Sequence, residues 1–290
     1  MAEQYSSQPP LSAGLYLVGI GPGCVDLMTI DALSIAQNAD YRRYEAYTAL
    51  WPDSELERLE SRVGPIEKMM RPEVESPNEL FTLAQQKSVA LLVVGDPLQA
   101  TTHVELQLQA AEAGVKCYVT PGISITNLVT GMIGLSNYKF GRQTTITYPY
   151  GNWIATSPLE VIAMNRVLGL HTLALLDLDP TGLGTGEQRP MKPINALDSL
   201  SLMQSTVQNR QSTSLHPALD ETVFSMLVNE DVKEWPVILC SDLGTSTSSI
   251  IYTTCGNLSH LSGGAMNCLV FPANLSENES SAIQRWNGHE

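Results

Sequence analysis

A short apolar run that stops on glycines, Leu15-Tyr-Leu-Val-Gly-Ile-Gly21, and the helically spaced apolar segment Ile30 to Ala39 behind it constrain the fold more than any other feature of this chain. A buried strand, a glycine loop and a helix, in that order, is the first part of a βαβ unit. Thr29 is placed to cap the helix, because its hydroxyl can accept a hydrogen bond from an orphan amide of the first turn. The pattern then returns. Val89-Ala-Leu-Leu-Val-Val94 is stopped by Gly95-Asp96-Pro97, a helix is expected from about Thr102 to Ala113 with Gly114 as its terminator, and Val115 to Val119 reads as the next strand. Strands alternating with helices from Leu15 to Val119 predict a mostly parallel sheet covered on both faces, with function at the carboxyl ends of its strands. The fold class is therefore α/β.

Between Arg58 and Ser76 the periodicity weakens and Pro65 and Pro72 intervene, which predicts mixed loop and short helix. After Gly141 the texture changes to the β-branched strand Thr144-Thr-Ile-Thr-Tyr148. A helix from about Pro158 to Leu168, a buried strand from His171 to Leu178, a glycine-rich loop from Thr181 to Gly186, a helix near Asn195 to Gln208 and strands at Val237–Cys240 and Cys268–Phe271 complete a second region. The expected organisation is a disordered tail over residues 1–13, an N-terminal α/β domain over 14–120, a connecting helix or hinge over 121–142, a C-terminal α/β domain over 143–275 and a flexible tail over 276–290. Two domains suit a chain of 290 residues.

Composition narrows the partners. Thirty Asp and Glu against 16 Lys and Arg give a formal charge of -14, which disfavours a phosphate-neutralising surface and hence nucleic acid. The longest apolar runs, such as Leu91 to Val94, fall far short of the roughly 20 residues a membrane helix needs. The N-terminal stretch has no basic region followed by an apolar core, so the expected location is cytoplasmic. Cys24, Cys117, Cys240, Cys255 and Cys268 include no C-x-x-C pair and fit free thiols; no metal is expected.

The loops after the strands carry the candidate chemistry. Gly19-Ile-Gly21-Pro22-Gly23 invites a pyrophosphate site, but Pro22 removes one amide and the helix cap Thr29 lies six residues beyond Gly23. A tight turn needing positive φ is the competing explanation. Gly95-Asp96-Pro97 places a carboxylate at a strand end, where a polar or cationic ligand would suit it and where a turn or capping role would equally use it. His103 has no Cys or His at ligand spacing. Asp177 and Asp179 read as paired acids or as solvated loop residues. Tyr44, Tyr47 and Trp153 read as a stacking surface or as core. No G-x-S-x-G elbow or H-E-x-x-H motif is present, which disfavours hydrolysis.

Taken in order, Leu17-Val-Gly-Ile-Gly-Pro-Gly23, Tyr44-Glu-Ala-Tyr-Thr48, Gly95-Asp-Pro-Leu-Gln-Ala-Thr-Thr-His103, Gly134-Leu-Ser-Asn-Tyr-Lys-Phe-Gly141, Tyr148-Pro-Tyr-Gly-Asn-Trp153 and Gly169-Leu-His-Thr-Leu-Ala-Leu-Leu-Asp177 closely resemble the diphthine synthase family, within the tetrapyrrole methylase fold group. The resemblance covers about Leu15 to Asp179. It implies two α/β domains of the tetrapyrrole methylase type with the cofactor, S-adenosylmethionine, in the inter-domain cleft and S-adenosylhomocysteine as product. Family cofactor contacts carry over to Pro22, Asp96, Gln99, Ser124, Ile125 and Leu176, and further along to Leu243 and Asn267. Asn267 stands where the family carries histidine, and the Ser- and Thr-rich stretch from Cys240 to Cys255 departs from the family pattern.

The implied reaction is methylation, to a trimethylammonium, of the amino group of the aminocarboxypropyl-histidine of translation elongation factor 2. The implied assembly is a homodimer. Such chemistry asks for no side-chain nucleophile and no metal, and no catalytic residue is assigned. The alternatives are a tetrapyrrole C-methyltransferase, favoured by Gly21-Pro22-Gly23, a ribose methyltransferase, disfavoured by the acidic charge, and a non-catalytic S-adenosylmethionine-binding module.

Overall fold

The computed structural model of the chain describes residues 10–151, 153–185, 188–210 and 218–287. They fall into two compact units, Met1–Ser124 and Ile125–Glu290, each built on its own five-stranded sheet.

The first unit runs β1 (Gly14–Gly19), α1 (Ile30–Asn38), β2 (Tyr41–Glu45), α2 (Asp53–Val63), β3 (Glu67–Met69), α3 (Arg71–Glu75), α4 (Asn78–Ala84), β4 (Ser88–Val93), α5 (His103–Glu112) and β5 (Cys117–Thr120). Its sheet has the order β3-β2-β4-β1-β5 and every pairing is parallel. Every residue of β1 and β4 is buried, as continuous apolar strands between two helical layers must be. Leu15, Leu17, Leu91 and Val93 pack with Leu106 and Ala110 of α5 on one face. Tyr16, Val18, Ala90 and Leu92 pack with Ala32 and Ala36 of α1 on the other. Neighbouring strands β1 and β4 therefore send their chains to opposite faces, and the loops beyond their carboxyl ends part at a topological switch point.

Local signals behave as the sequence leads one to expect at both helix ends. Thr29 Oγ1 accepts from Ala32 N at 3.0 Å, and Gly114, with φ of +70°, turns the chain so that Val115 N donates to Ala110 O at 2.8 Å. Strands β2 and β3 were hidden because their sequences, YRRYE and EKM, carry charge instead of apolar alternation. The charge has a local use. The Arg42 guanidinium donates to the carbonyls of Ala36 and Ala39, both at 2.6 Å, at the carboxyl end of α1.

The second unit runs α6 (Ile125–Met132), β6 (Thr144–Ile146), α7 (Ser157–Val167), β7 (Thr172–Leu176), α8 (Pro193–Arg210), α9 (Asp220–Asn229), β8 (Pro236–Ser241), β9 (Ser249–Thr254), β10 (Asn267–Phe271) and α10 (Glu277–Ile283). The order is β6-β7-β10-β8-β9, with β6–β7 parallel and the other pairings antiparallel. Leu159, Ile162, Leu200, Met203, Val223 and Leu227 of α7 to α9 cover one face. Val129 and Ile133, with Ile283 of α10, cover the other.

The Ser- and Thr-rich stretch between Cys240 and Cys255, for which no element was expected, holds the edge strand β9, whose half-exposed pattern suits polar residues. The segment expected as a flexible tail over 276–290 instead contains α10, opened by a capping box in which Ser276 Oγ accepts from Glu279 N at 3.3 Å and Glu279 Oε2 accepts from Ser276 N at 2.8 Å. Of the expected N-terminal tail, Leu11 packs against the first unit's core. Residues 1–9, Asn152 of the Tyr148–Trp153 motif, Gly186 of the glycine-rich loop and 288–290 lie outside the described residues. Among the described residues no helix is long and apolar enough to cross a membrane, and no group of three or more His, Cys, Asp and Glu could hold a metal ion.

Candidate functional site

Three loops follow the carboxyl ends of β4, β1 and β5, three adjacent strands. They meet backbone to backbone. Gly95 N donates to Gly21 O at 2.8 Å and Gly21 N to Gly95 O at 3.2 Å. A Cβ on Gly122 would stand 2.1 Å from Gly95 O and 2.8 Å from Gly19 Cα, so glycine is the residue that permits this approach. Gly21 and Gly95 hold φ of +80° and +74°, the left-handed backbone that a tight turn requires.

Asp96 fastens these loops. Its Oδ1 accepts from Leu98 N at 2.9 Å and its Oδ2 from Gly122 N at 3.2 Å, so one carboxylate both shapes its own loop and reaches the loop after β5. A fourth segment joins from β2. Trp51 Nε1 donates to Gly21 O at 2.9 Å, and Trp51 N donates to the Tyr44 hydroxyl at 3.0 Å. Glu45, fully buried, accepts from Thr48 N at 3.0 Å and from the Thr48 hydroxyl; burial pushes its carboxyl up. Tyr44 and Tyr47 are buried and belong to the core, while Trp153 is exposed and stacks on Tyr150 at 6.4 Å.

The carried-over residues fall into two groups, one in each unit. In the first, Pro22 is half-buried between Gly21 and Gly23, Asp96 is half-buried, Gln99 is exposed beyond it and Ser124 is buried after Gly122. Ile125, half-buried, opens α6 of the second unit. In the second, antiparallel register puts Cys268 opposite Leu175 and Asn267 opposite Ser241. Leu176, Asn267 and Leu243 thus lie at one end of the second sheet.

Asn267 is fully engaged there. Its Oδ1 accepts from the Ser241 hydroxyl at 2.7 Å and from Gly264 N at 2.8 Å, and its Nδ2 donates to Gly264 O at 3.2 Å and Met191 O at 3.3 Å. Two donors and two lone pairs are the whole capacity of a side-chain amide. What Asn267 offers a ligand is therefore its backbone.

Asp177 and Asp179 are shapers of loops. Asp177 accepts from Leu178 N at 2.8 Å and Tyr148 N at 3.1 Å. Burial pushes the Asp179 carboxyl up, but bonds from the Thr181 hydroxyl at 2.6 Å, Gly184 N at 2.6 Å and Thr181 N at 2.8 Å outweigh it and leave the group below its ordinary value.

The residues of Y-K-F-G and G-L-H serve a different centre. Glu279 Oε2 accepts from Lys139 Nζ at 2.6 Å, and Oε1 accepts from His171 Nε2 and Ser136 N, both at 3.0 Å. Ala273 N donates to His171 Nδ1 at 3.0 Å, which fixes the tautomer with hydrogen on Nε2. This clasp binds α10 to the body of its unit. The sequence reading missed Glu279, although S-x-x-E at Ser276 was a visible capping signal.

The three glycine loops, Gly19–Cys24, Gly95–Thr102 and Thr120–Ser124, contain no Lys or Arg and a single carboxylate, Asp96. That donor set suits a polar ligand carrying positive charge and offers no side-chain cation to a pyrophosphate.

The family Tetrapyrrole (Corrin/Porphyrin) Methylases matches residues 14–186. A diphthine synthase of Methanocaldococcus jannaschii is 30% identical over 273 residues, covering 93% of this chain and 97% of that protein. The chain belongs to the diphthine synthase family. A diphthine synthase of Methanoregula boonei is 37% identical over 166 residues, and the aligned stretch covers 56% of this chain and 66% of its relative. A solved diphthine synthase superposes with a TM-score of 0.76 at 27% identity, covering 94% of this chain and 95% of that one.

Proposed function

We propose that this member of the diphthine synthase family binds S-adenosylmethionine at the glycine loops and methylates the amino group of the aminocarboxypropyl-histidine of translation elongation factor 2, reaching a trimethylammonium. The observation that carries the reading is the cation-free donor set at the switch point of a methylase-family sheet. S-adenosylmethionine supplies, when bound, a methyl group on a sulfonium leaving group. Asp96 and the loop it fastens, Gln99, Pro22 and Ser124 would hold it in the first unit; Ile125, Leu176, Leu243 and Asn267 would hold it in the second.

The protein's share of the chemistry is positioning. An α-amino group has an ordinary pKa of about 8, so roughly a tenth is free base at pH 7 without help. Orientation of nitrogen against the methyl carbon can supply about 7–11 kcal/mol of the barrier. The chain would act in the cytoplasm as a homodimer, with the elongation factor as its protein substrate. Tetrapyrrole C-methylation is the second reading, favoured by Gly21-Pro22-Gly23 and by the matching family.

Incubation with labelled S-adenosylmethionine separates them. The elongation factor bearing the modification should gain at least three methyl groups by mass spectrometry, and the unmodified factor, which presents no such amine, should gain none. Labelling of a tetrapyrrole or of ribosomal RNA alone would refute the assignment.

A further inference from the structure

The segment Thr101-Thr102-His103 does not do what its composition suggests. Threonine before a helix ordinarily accepts from an amide of the first turn. Thr102, the residue at the cap position of α5, makes no such bond. Thr101 and His103 instead converge on one atom, the carbonyl oxygen of Pro97: the Thr101 hydroxyl donates to it at 2.6 Å and His103 Nδ1 stands 2.9 Å from it. A carbonyl oxygen only accepts, so Nδ1 carries the hydrogen and both lone pairs of Pro97 O are taken. The imidazole is 1% exposed, and its Nε2 has no hydrogen-bond partner among the described residues. Among the described residues the imidazole's one polar contact is the Pro97 carbonyl.

That carbonyl sits in the loop that carries Asp96 and Gln99. The loop is tied at Gly95 to Gly21 and at Asp96 to Gly122. Beyond Pro97 the chain rises to Gln99 and Ala100, both exposed, and Ala100 holds φ of +58°, a left-handed conformation that costs a residue with a Cβ. A strained crest persists only where its flanks are held. Before the crest Leu98 N donates to Asp96 Oδ1 and Gln99 N to Asp96 O, and the two residues that hold the Pro97 carbonyl stand just after the crest.

We infer that Thr101 and His103 are positioning residues for the cofactor, acting through the Pro97 carbonyl to hold Asp96 and Gln99 in their binding geometry. The inference rests on the cofactor reading proposed above. Histidine serves as a donor through Nδ1 only, and the Thr101 hydroxyl, besides donating to the Pro97 carbonyl, accepts from His103 N, the first amide of α5, at 3.4 Å.

The test uses the full-length protein, S-adenosylhomocysteine as the probe in calorimetry, and methyl-transfer kinetics. Asparagine places its amide nitrogen where Nδ1 stands, and leucine places nothing there. His103→Leu should weaken binding about ten-fold, the equivalent of one hydrogen bond, and should raise KM for S-adenosylmethionine with kcat nearly retained at saturation. His103→Asn should restore most of the affinity. Thr101→Val should weaken binding as well and Thr101→Ser should restore it, which keeps the test open if His103→Leu fails to fold. Equal affinity in wild type and in folded His103→Leu, or an equal loss in His103→Asn and His103→Leu, would overturn the clamp. No binding by the wild type would instead refute the cofactor reading on which it rests.

Discussion

Replacing Glu279 by alanine should loosen the second unit by an amount that can be worked from its contacts. The carboxylate accepts from Lys139 Nζ, His171 Nε2, Ser136 N and Ser276 N, all within 3.0 Å, from a residue only 4% exposed. Alanine leaves the His171 N–H without its partner in a fully buried ring and strands two backbone amides. Removing one member of a buried pair costs about 3–5 kcal/mol. The Lys139 side chain is 31% exposed and recovers part of its loss in water, which brings the figure to about 3 kcal/mol. At roughly 2–4 °C per kcal/mol for a unit of this size, the melting temperature should fall by about 6–12 °C. Calorimetry and urea titration at pH 7 would measure it. The effect should also depend on pH. Burial pushes the Glu279 carboxyl up, but the bonds from Lys139, Ser276, Ser136 and His171 outweigh burial and hold it well below its ordinary value. A depressed carboxyl contributes stability that is present above its unfolded pKa, about 4.5, and is lost as pH falls toward the folded value. The part of the gap between wild type and Glu279→Ala that comes from this carboxylate should therefore narrow as pH falls below about 4.5. A loss under about 0.5 kcal/mol, or a gap that widens in acid, would refute the clasp.

Other consequences follow from the two site groups. Asp96→Asn keeps one acceptor oxygen for two amides and should reduce S-adenosylhomocysteine affinity in calorimetry while lowering the melting temperature only slightly; unchanged affinity would make Asp96 a turn residue alone. Gly122→Ala places a Cβ against Gly95 O and should cost the first unit at least about 3 kcal/mol, read by denaturant titration. Asn267→Ala should cost about 2 kcal/mol by releasing Ser241, Gly264 and Met191, with Asn267→Asp only partly compensating because it cannot donate to the two carbonyls. Burial lowers the His171 pKa, so neutral His171 favours the fold above about pH 6.5 and stability should decline as pH drops through that value; a His171→Gln variant should show a shallower decline in thermal melts.

Periodicity and turn chemistry were enough to reveal β1, α1, β4 and α5. Each is either apolar throughout or bounded by a residue with one evident use, such as Thr29 as a cap or Gly114 at positive φ. Strands whose side chains serve a neighbour were hidden: Arg42 in β2 closes α1, and β9 is an edge strand of Ser, Thr and half-exposed apolar residues. The family motifs located the glycine loops, yet the same letters did not say which of them touch one another.

The sequence by itself determined an acidic α/β chain with glycine loops after its buried strands, because strand and helix periodicity and positive-φ turns are local properties read over a few residues. Only the tertiary structure decided what the polar motif residues do. Asp96 reaches Gly122 across 26 positions, His171 reaches Glu279 across 108, and Asn267 gathers Met191, Ser241 and Gly264. A hydrogen bond is settled by a distance of about 3 Å in space, and separation along the chain carries no record of it.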